Sequence, residues 1–325
     1  MVQACLPMYT TITSKNNSQK LILDSRGASV SSWSIYDIGI LRQPEAPAAE
    51  YTGRHSASYH VPGFFGRIPE SKIWFENKGY PVPGNPHETN AINKGLCLHG
   101  FGPTCVWKLV ESAPSFAIFQ TPENFLPADY PFPYTSKVTY SLSENSLELD
   151  LQLTAQRRGI YSLTWHPFFL RYIGDGSSHI QAKFSAEKVF PRSMVPMPET
   201  APIEVIECWD YSSQPKSVIA PSDSSYIGWK GEKGVALDWK NIVSKNSKKL
   251  HNNSLVLEMF SPAANVLHIF TDLADSVCVE PSMSVSNGFW LYDQKLIEQK
   301  YAGVVLNEGE TTCLKVTHSF QVQNL

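Results

Sequence analysis

Strict alternation of apolar and polar residues, interrupted by a short polar turn, is the feature that most constrains the fold of this chain. From Lys137 to Leu142 and again from Leu147 to Leu153, every second residue is apolar, and the polar residues 143–146 join the two runs. Successive side chains of a strand point to opposite faces of a sheet. The two runs therefore predict a β-hairpin with one buried face and one polar face.

Shorter runs of the same kind predict strands elsewhere in the chain. They are Lys20–Leu23, Phe116–Gln120, Val256–Phe260, Val266–Phe270, Val277–Glu280 and Cys313–Phe320. The 23 prolines and 19 glycines are spread along the sequence and divide it into short segments, which is typical of β proteins. Neither a long helical period, nor a fixed repeat, nor a change of composition marks a second domain. We expect an all-β protein in which residues 1–325 form a single large β-sandwich domain.

Charge and composition limit the partners and the location of the protein. The chain has 27 Lys and Arg against 30 Asp and Glu, a net charge of −3, which disfavours nucleic acid and anionic membranes as partners. No apolar run approaches the roughly 18 residues that span a bilayer, and residues 1–8 do not have the pattern of a secretion signal. Six cysteines without metal-type spacing predict reduced thiols in a cytoplasmic protein.

Common nucleotide and metal motifs are missing from the sequence. It contains no G-x-x-x-x-G-K-[ST], no G-x-G-x-x-G after a strand, no H-E-x-x-H and no G-x-S-x-G, so phosphate-loop, zincin and α/β-hydrolase chemistry are not expected.

Three polar residues interrupt apolar runs instead: His99, His166 and Glu280. For each histidine taken alone, a hydrogen bond in the core is the better explanation. Carboxylates are rarely buried without a partner, so Glu280 predicts either a structural ion pair or a functional base. Pro281, which follows it, is expected to end the strand.

Taken in order, these segments resemble the aldose 1-epimerase (galactose mutarotase) family from about Gly27 to the C-terminus. The matching segments are Gly27–Trp33, Gly66–Ile68, Asn93, Leu98–Gly100, Tyr134–Leu142, His166–Phe169 and Val279–Pro281. The resemblance implies a large antiparallel β-supersandwich of the galactose mutarotase-like kind, in agreement with the alternation of the residues. The chain departs from the family at Gly66, where an asparagine is usual, and in the residues after Pro281.

The resemblance also implies an enzyme, an isomerase that interconverts the α and β anomers of a free hexose such as glucose or galactose. Glu280 would be the general base on the C1 hydroxyl and His166 the general acid toward the ring oxygen. His99 and Arg67 would hold the sugar, together with an aspartate that is either Asp223 or Asp238. Opening the ring needs one base and one acid, so neither a cofactor nor a metal is expected. The expected partner is a small sugar, and a monomer and a homodimer are both open.

Two other functions remain possible at this point. A hexose-6-phosphate 1-epimerase would share His99-Gly100-Phe101, but Gly102 and Pro103 stand where that group has Ala-Arg, so Arg157 and Arg158 would have to bind the phosphate. A non-catalytic carbohydrate-binding protein on the same fold is the second alternative, because a fold does not determine a function. The aromatic residues Trp165, Phe168 and Phe169 are explained either as a surface for a sugar or as ordinary core.

Overall fold

A computed structural model of the chain describes residues 8–44, 52–83, 97–191, 193–194, 198–205, 210–218 and 222–324. Within these residues the strands, numbered along the chain, form two large antiparallel sheets and a separate hairpin. The larger sheet has the spatial order β1 (Tyr9–Thr13), β2 (Gln19–Asp24), β3 (Ser29–Ile35), β5 (Ser58–Gly63), β12 (Gly159–Leu170), β21 (Ser276–Ser282), β20 (Val266–Phe270), β17 (Asp223–Ile227), β14 (Lys188–Phe190) and β15 (Ile203–Glu204), with β4 (Ile38–Gly39) beside β3 and β22 (Val304–Leu306) beside β12. The smaller sheet has the order β16 (Lys216–Ser217), β13 (Gln181–Lys183), β18 (Val235–Ile242), β19 (Asn253–Phe260), β23 (Thr311–Asn324), β11 (Ser146–Ala155), β10 (Tyr134–Leu142), β9 (Phe116–Gln120) and β8 (Lys108–Ala113).

The remaining regular elements are short. The separate hairpin consists of β6 (Lys72–Phe75) and β7 (Lys78–Pro81), and the α-helix α1 spans Gly288–Asp293. Among the described residues, 3-10 turns cover Gly53–His55, Pro69–Ser71, Gly102–Thr104 and Gln299–Tyr301. In the part of the chain that the structure describes, no helix has the length and apolar character needed to cross a membrane.

The predicted all-β antiparallel sandwich is confirmed, and so is the hairpin from which it was argued. Leu142 pairs with Leu147 across the turn between β10 and β11. The leucines of β11 are fully buried, whereas Glu148 and the other polar residues between them are half-buried. Each of the six shorter predicted strands lies within an observed strand. Alternation located the strands that bury one apolar face, whereas β20 and β21 are buried on both faces and were located by their short apolar runs.

Aromatic side chains fill the space between the two sheets. His318 of β23, in the smaller sheet, lies edge-on to Trp33 and Trp165 of the larger sheet, with ring centroids 5.3 and 4.6 Å apart. All three residues have an exposed fraction of 1% or less. The core thus joins the inner faces of the sheets.

Because side chains alternate along a strand, the neighbours of these core residues point to the opposite face of the larger sheet. Trp165 and Val279 belong to the main core. Phe168 and Cys278, which lie on the other face of β12 and β21, belong to a separate cluster. His166 and Glu280 therefore lie on the outer face of the larger sheet, the face turned away from the smaller sheet.

Pro281 does not end the strand, contrary to the expectation from sequence. β21 continues to Ser282, and Pro281 pairs with Leu267 of β20. On its other side, the ladder between β12 and β21 is interrupted around His166 and Glu280. A proline has no N–H to donate, so it is tolerated where no ladder hydrogen bond is formed. The interruption accommodates Pro281 at the place where His166 and Glu280 face each other.

Candidate active site

A single row of side chains crosses five neighbouring strands on the outer face of the larger sheet. From β5 to β17 its members are Tyr59, His166, Glu280, His268 and Ser225. Directly opposed residues in antiparallel strands have Cβ atoms only about 4.5–5.5 Å apart. The register of the sheet therefore brings together residues that are far apart in sequence.

His166 and Glu280 form the centre of this row. The Nε2 atom of His166 lies 3.2 Å from Oε1 of Glu280, and the exposed fractions of the two side chains are 8% and 0%. The imidazole stacks against the rings of Tyr59 and Phe168, with centroid distances of 4.5 and 4.8 Å. This stacking fixes the orientation of the imidazole relative to the carboxylate.

The surroundings shift the pKa values of this pair in opposite directions. Burial, and next the charge of Asp223, raise the pKa of Glu280 well above its usual value. Burial, followed by the positive charges of His268 and Arg42, lowers the pKa of His166. Glu280 accepts no hydrogen bond on either oxygen from the described residues. Burial thus favours the neutral forms of both groups, so the ionised carboxylate is a stronger base, and the protonated imidazole a stronger acid, than the same groups in water.

A cavity of about 240 Å³ opens above this pair. All five residues selected from the sequence line it: Arg67, His99, His166, Asp223 and Glu280. Other lining residues include Arg54, Tyr59, Phe65, Phe168, His268, Phe270 and Ser286. The cavity combines aromatic faces with charged groups of both signs, which suits a small polar molecule with apolar faces.

Two loops bring His99 and Arg67 to the cavity. Arg67 forms an isolated β-bridge with Leu98, and the backbone N–H of His99 donates to the carbonyl of Gly66 over 3.1 Å. In return the N–H of Gly66 donates to Nδ1 of His99 over 3.2 Å. Burial, and next the charge of His166, lower the pKa of His99. Its neutral ring therefore carries its proton on Nε2, and this N–H is a hydrogen-bond donor.

Asp223 reaches the cavity from the first position of β17 and is held by a histidine. Its Oδ1 lies 3.1 Å from Nε2 of His268, and Nδ1 of His268 is 2.8 Å from the hydroxyl of Ser225. The sequence analysis missed His268. A signal was present: it is a histidine inside the apolar strand Val266–Phe270, directly before the strand that carries Glu280.

Comparison with known proteins places this geometry in a family. The family model described as aldose 1-epimerase matches residues 10–314. The chain belongs to the aldose 1-epimerase family. This is a family of isomerases, and the resemblance found in the sequence is confirmed. No curated protein sequence matches the chain significantly.

Solved structures of the aldose 1-epimerase fold cover almost the whole chain. A candidate aldose 1-epimerase from Escherichia coli K12 is 16% identical, with a TM-score of 0.76, over 97% of this chain and 99% of that chain. The GalM/aldose epimerase homologue from C. elegans is 16% identical, with a TM-score of 0.71, over 98% of this chain and 100% of that one. Galactose 1-epimerase from Lactobacillus acidophilus NCFM is 13% identical, with a TM-score of 0.68, over 99% and 100%. At these identities the structures show the shared fold.

The departure from the aldose 1-epimerase family pattern at Gly66 has a structural reason. Gly66 has a φ of 74°, in the left-handed region that favours glycine. A Cβ atom at this position would lie 2.1 Å from the hydroxyl oxygen of Ser286 and 2.8 Å from its Cα. Ser286 therefore occupies the space into which a larger residue at position 66 would project.

Several other residues proposed from the sequence lie away from the cavity. Asp238 is on β18 in the smaller sheet, where it pairs with Lys240 at 3.5 Å. Trp165 and Phe169 belong to the core between the sheets. The aspartate at the cavity is Asp223.

The arginines considered for phosphate binding are also elsewhere. Arg158 forms an exposed ion pair with Glu76 at 2.6 Å, and Arg157 lies beside it at the start of β12. Neither lines the cavity formed by the described residues. Phe168, in contrast, does line the cavity. Asn93, another residue of the family resemblance, lies outside the described residues.

Proposed function

We propose that this chain interconverts the α and β anomers of a free hexose, glucose or galactose, by acid–base ring opening, and that it acts as one catalytic domain. The observation that carries the proposal is the buried pair of His166 and Glu280, with Nε2 and Oε1 3.2 Å apart, at the bottom of a cavity of about 240 Å³. An acid and a base within reach of one small molecule are what the reaction requires.

His166 and Glu280 together account for every proton that the reaction moves. Ionised Glu280 takes the proton of the C1 hydroxyl, while protonated His166 gives its proton to the ring oxygen, and the C1–O5 bond breaks. C1 becomes a carbonyl and rotates about the C1–C2 bond. The reverse transfers then close the ring on the other face and restore both groups. Since the pair must hold one proton to act, the rate should fall at both low and high pH.

The remaining cavity residues suit the hydroxyl groups of a sugar. His99 offers an N–H donor at Nε2, and Asp223 offers a carboxylate acceptor held by His268. Arg67 supplies a positive charge for the oxygen that gains electron density as the ring opens. Phe168 and Phe270 supply apolar faces for the C–H groups of the sugar.

A second candidate, a hexose-6-phosphate 1-epimerase, is favoured by one observation. Two guanidinium groups, those of Arg54 and Arg67, line the same cavity, and arginine suits the recognition of phosphate. Comparing initial rates on glucose and glucose 6-phosphate distinguishes the candidates. A much higher kcat/KM for the phosphorylated sugar would favour the second.

Location and assembly stay predictions. Cys105, Cys278 and Cys313, which lie within the described residues, are free thiols, in keeping with the reducing cytoplasm. Gel filtration of the purified chain would separate the monomer from the homodimer.

Glu280→Gln tests the proposed function. The amide keeps the shape of the side chain but cannot act as a base, so we expect mutarotation above the spontaneous rate to disappear while sugar affinity stays within about tenfold. Polarimetry starting from pure α-D-glucose or α-D-galactose measures the rate. The control is Glu204→Gln, which alters a carboxylate that is 76% exposed and remote from the cavity. Turnover by Glu280→Gln at the wild-type rate would refute the role of Glu280.

A further inference from the structure

Cys278 is a buried thiol that the proposed reaction does not use. It lies on β21 two residues before Glu280 and therefore on the same face of the strand, and it pairs with Phe168 across β12. Its exposed fraction is 0%. One ligand atom each from His166, Cys278 and Glu280 lie within 4.8 Å of one another. The register that brings the proton-transfer pair together thus adds a sulfur beside it.

The spacing of these atoms is close to that of a tetrahedral zinc site. With Zn–N and Zn–O bonds of about 2.0–2.2 Å and Zn–S bonds of about 2.3 Å, neighbouring ligand atoms lie about 3.3–3.8 Å apart. The Nε2 and Oε1 atoms are already 3.2 Å apart. The sulfur lies within 4.8 Å of one ring nitrogen of His166 and of one carboxylate oxygen of Glu280, so a movement of about 1 Å would bring it to the spacing of a third vertex. His166 and Glu280 also line the cavity.

The charges favour a divalent cation that binds sulfur. Glu280 is completely buried, and among the described residues neither of its oxygens has a hydrogen-bond partner. A thiolate and a carboxylate together would neutralise a dication, so that the buried site carries no net charge. Sulfur and imidazole ligands select zinc over magnesium or calcium, which prefer oxygen ligands.

We propose that His166, Cys278 and Glu280 form an inhibitory binding site for Zn²⁺ at the bottom of the cavity. Binding replaces the thiol proton, and the carboxyl proton in those molecules that carry one, and releases these protons to solvent. The imidazole coordinates through Nε2 without losing a proton. The bound ion occupies the atoms that would transfer protons to the sugar, so the inhibitory part of this proposal rests on the proposed function, whereas the binding part does not.

Binding is tested on the sugar-free full-length chain with Zn²⁺ and with Co²⁺ as a spectroscopic probe. Equilibrium dialysis is expected to show one tightly bound ion per chain, and Co²⁺ is expected to give the charge-transfer absorption of a thiolate ligand. Cys278→Ser should weaken binding at least about tenfold and abolish that absorption. The matched control is Cys313→Ser, which removes an exposed cysteine on β23 and should preserve both. Mg²⁺ should not compete.

Inhibition is measured separately by polarimetry, with each protein compared with its own zinc-free rate. The Zn²⁺ concentration for half-inhibition should rise at least about tenfold in Cys278→Ser and stay unchanged in Cys313→Ser. The site is refuted if wild-type chain binds no Zn²⁺, or if Cys278→Ser and wild type bind it equally with the same Co²⁺ spectrum. Binding that depends on Cys278 in a protein without mutarotase activity would uphold the site and refute the proposed function.

Discussion

His318, a core histidine that lies edge-on to two tryptophans, should make the folded protein sensitive to acid. Burial lowers the pKa of His318 from 6.5 to about 3. Between these values the unfolded chain binds a proton that the folded chain does not, so folded stability falls as the pH decreases from about 6.5 toward 3. Between about pH 7.5 and pH 4.5, this single group should remove roughly 3 kcal/mol from the free energy of unfolding.

Substitution of His318 by leucine removes this term, because leucine has no group to titrate. We expect the fall in unfolding free energy between those two pH values to be roughly 3 kcal/mol smaller in His318→Leu than in wild type, whatever the effect of the substitution at neutral pH. Urea unfolding followed by tryptophan fluorescence measures both quantities. The other titrating groups are present in both proteins and cancel in the comparison.

Val316→Ala provides the control, since Val316 is a fully buried residue on the same face of β23. Its loss of packing should lower stability by the same amount at both pH values. If His318→Leu and wild type lose equal stability on acidification, the assignment of this acid sensitivity to His318 is wrong.

Two further predictions concern the cavity. Gly66→Ala should lower the free energy of unfolding by about 2–5 kcal/mol, because the alanine would be strained in the left-handed conformation and would overpack against Ser286. Urea unfolding measures this loss, and adding Ser286→Gly should restore part of the stability. A loss below about 0.5 kcal/mol would contradict this reasoning. His268→Leu should raise KM for the hexose about tenfold, with less effect on kcat, because Asp223 loses its hydrogen bond. His268→Gln retains a donor and should recover most of the affinity, so equal KM values for the two variants would rule out this role.

The sequence predicted where the strands lie better than it predicted which strands pair with each other. The leucines of β11 and the hairpin with β10 could be recognised because one apolar face produces a period of two. The period does not show which strands pair beyond a hairpin, and β23 lies between β11 and β19 although it comes last in the chain. Long-range order of this kind came from the family resemblance.

The site was predicted only in part, because the sequence does not show which strands pair and therefore which residues come together. His99, His166 and Glu280 were noticeable because each is a polar residue in an apolar run. His268 occurs in a similar run, but its importance depends on register, since it pairs with Glu280 across β20 and β21. Arg54 was missed because it comes from a short 3-10 turn with no apolar pattern around it.

The same alternation that builds the core also creates the chemistry on the opposite face. Trp165 and Val279 anchor β12 and β21 in the core, which forces His166 and Glu280 outward. There the two side chains are buried beside the aromatic rings of Tyr59 and Phe168. Burial shifts the pKa values of both groups, and the carboxylate accepts no hydrogen bond from the described residues. The proposed reactivity of the pair, and the proposed binding of a metal through Cys278, thus have one physical origin: polar groups held at adjacent register positions on a buried sheet face.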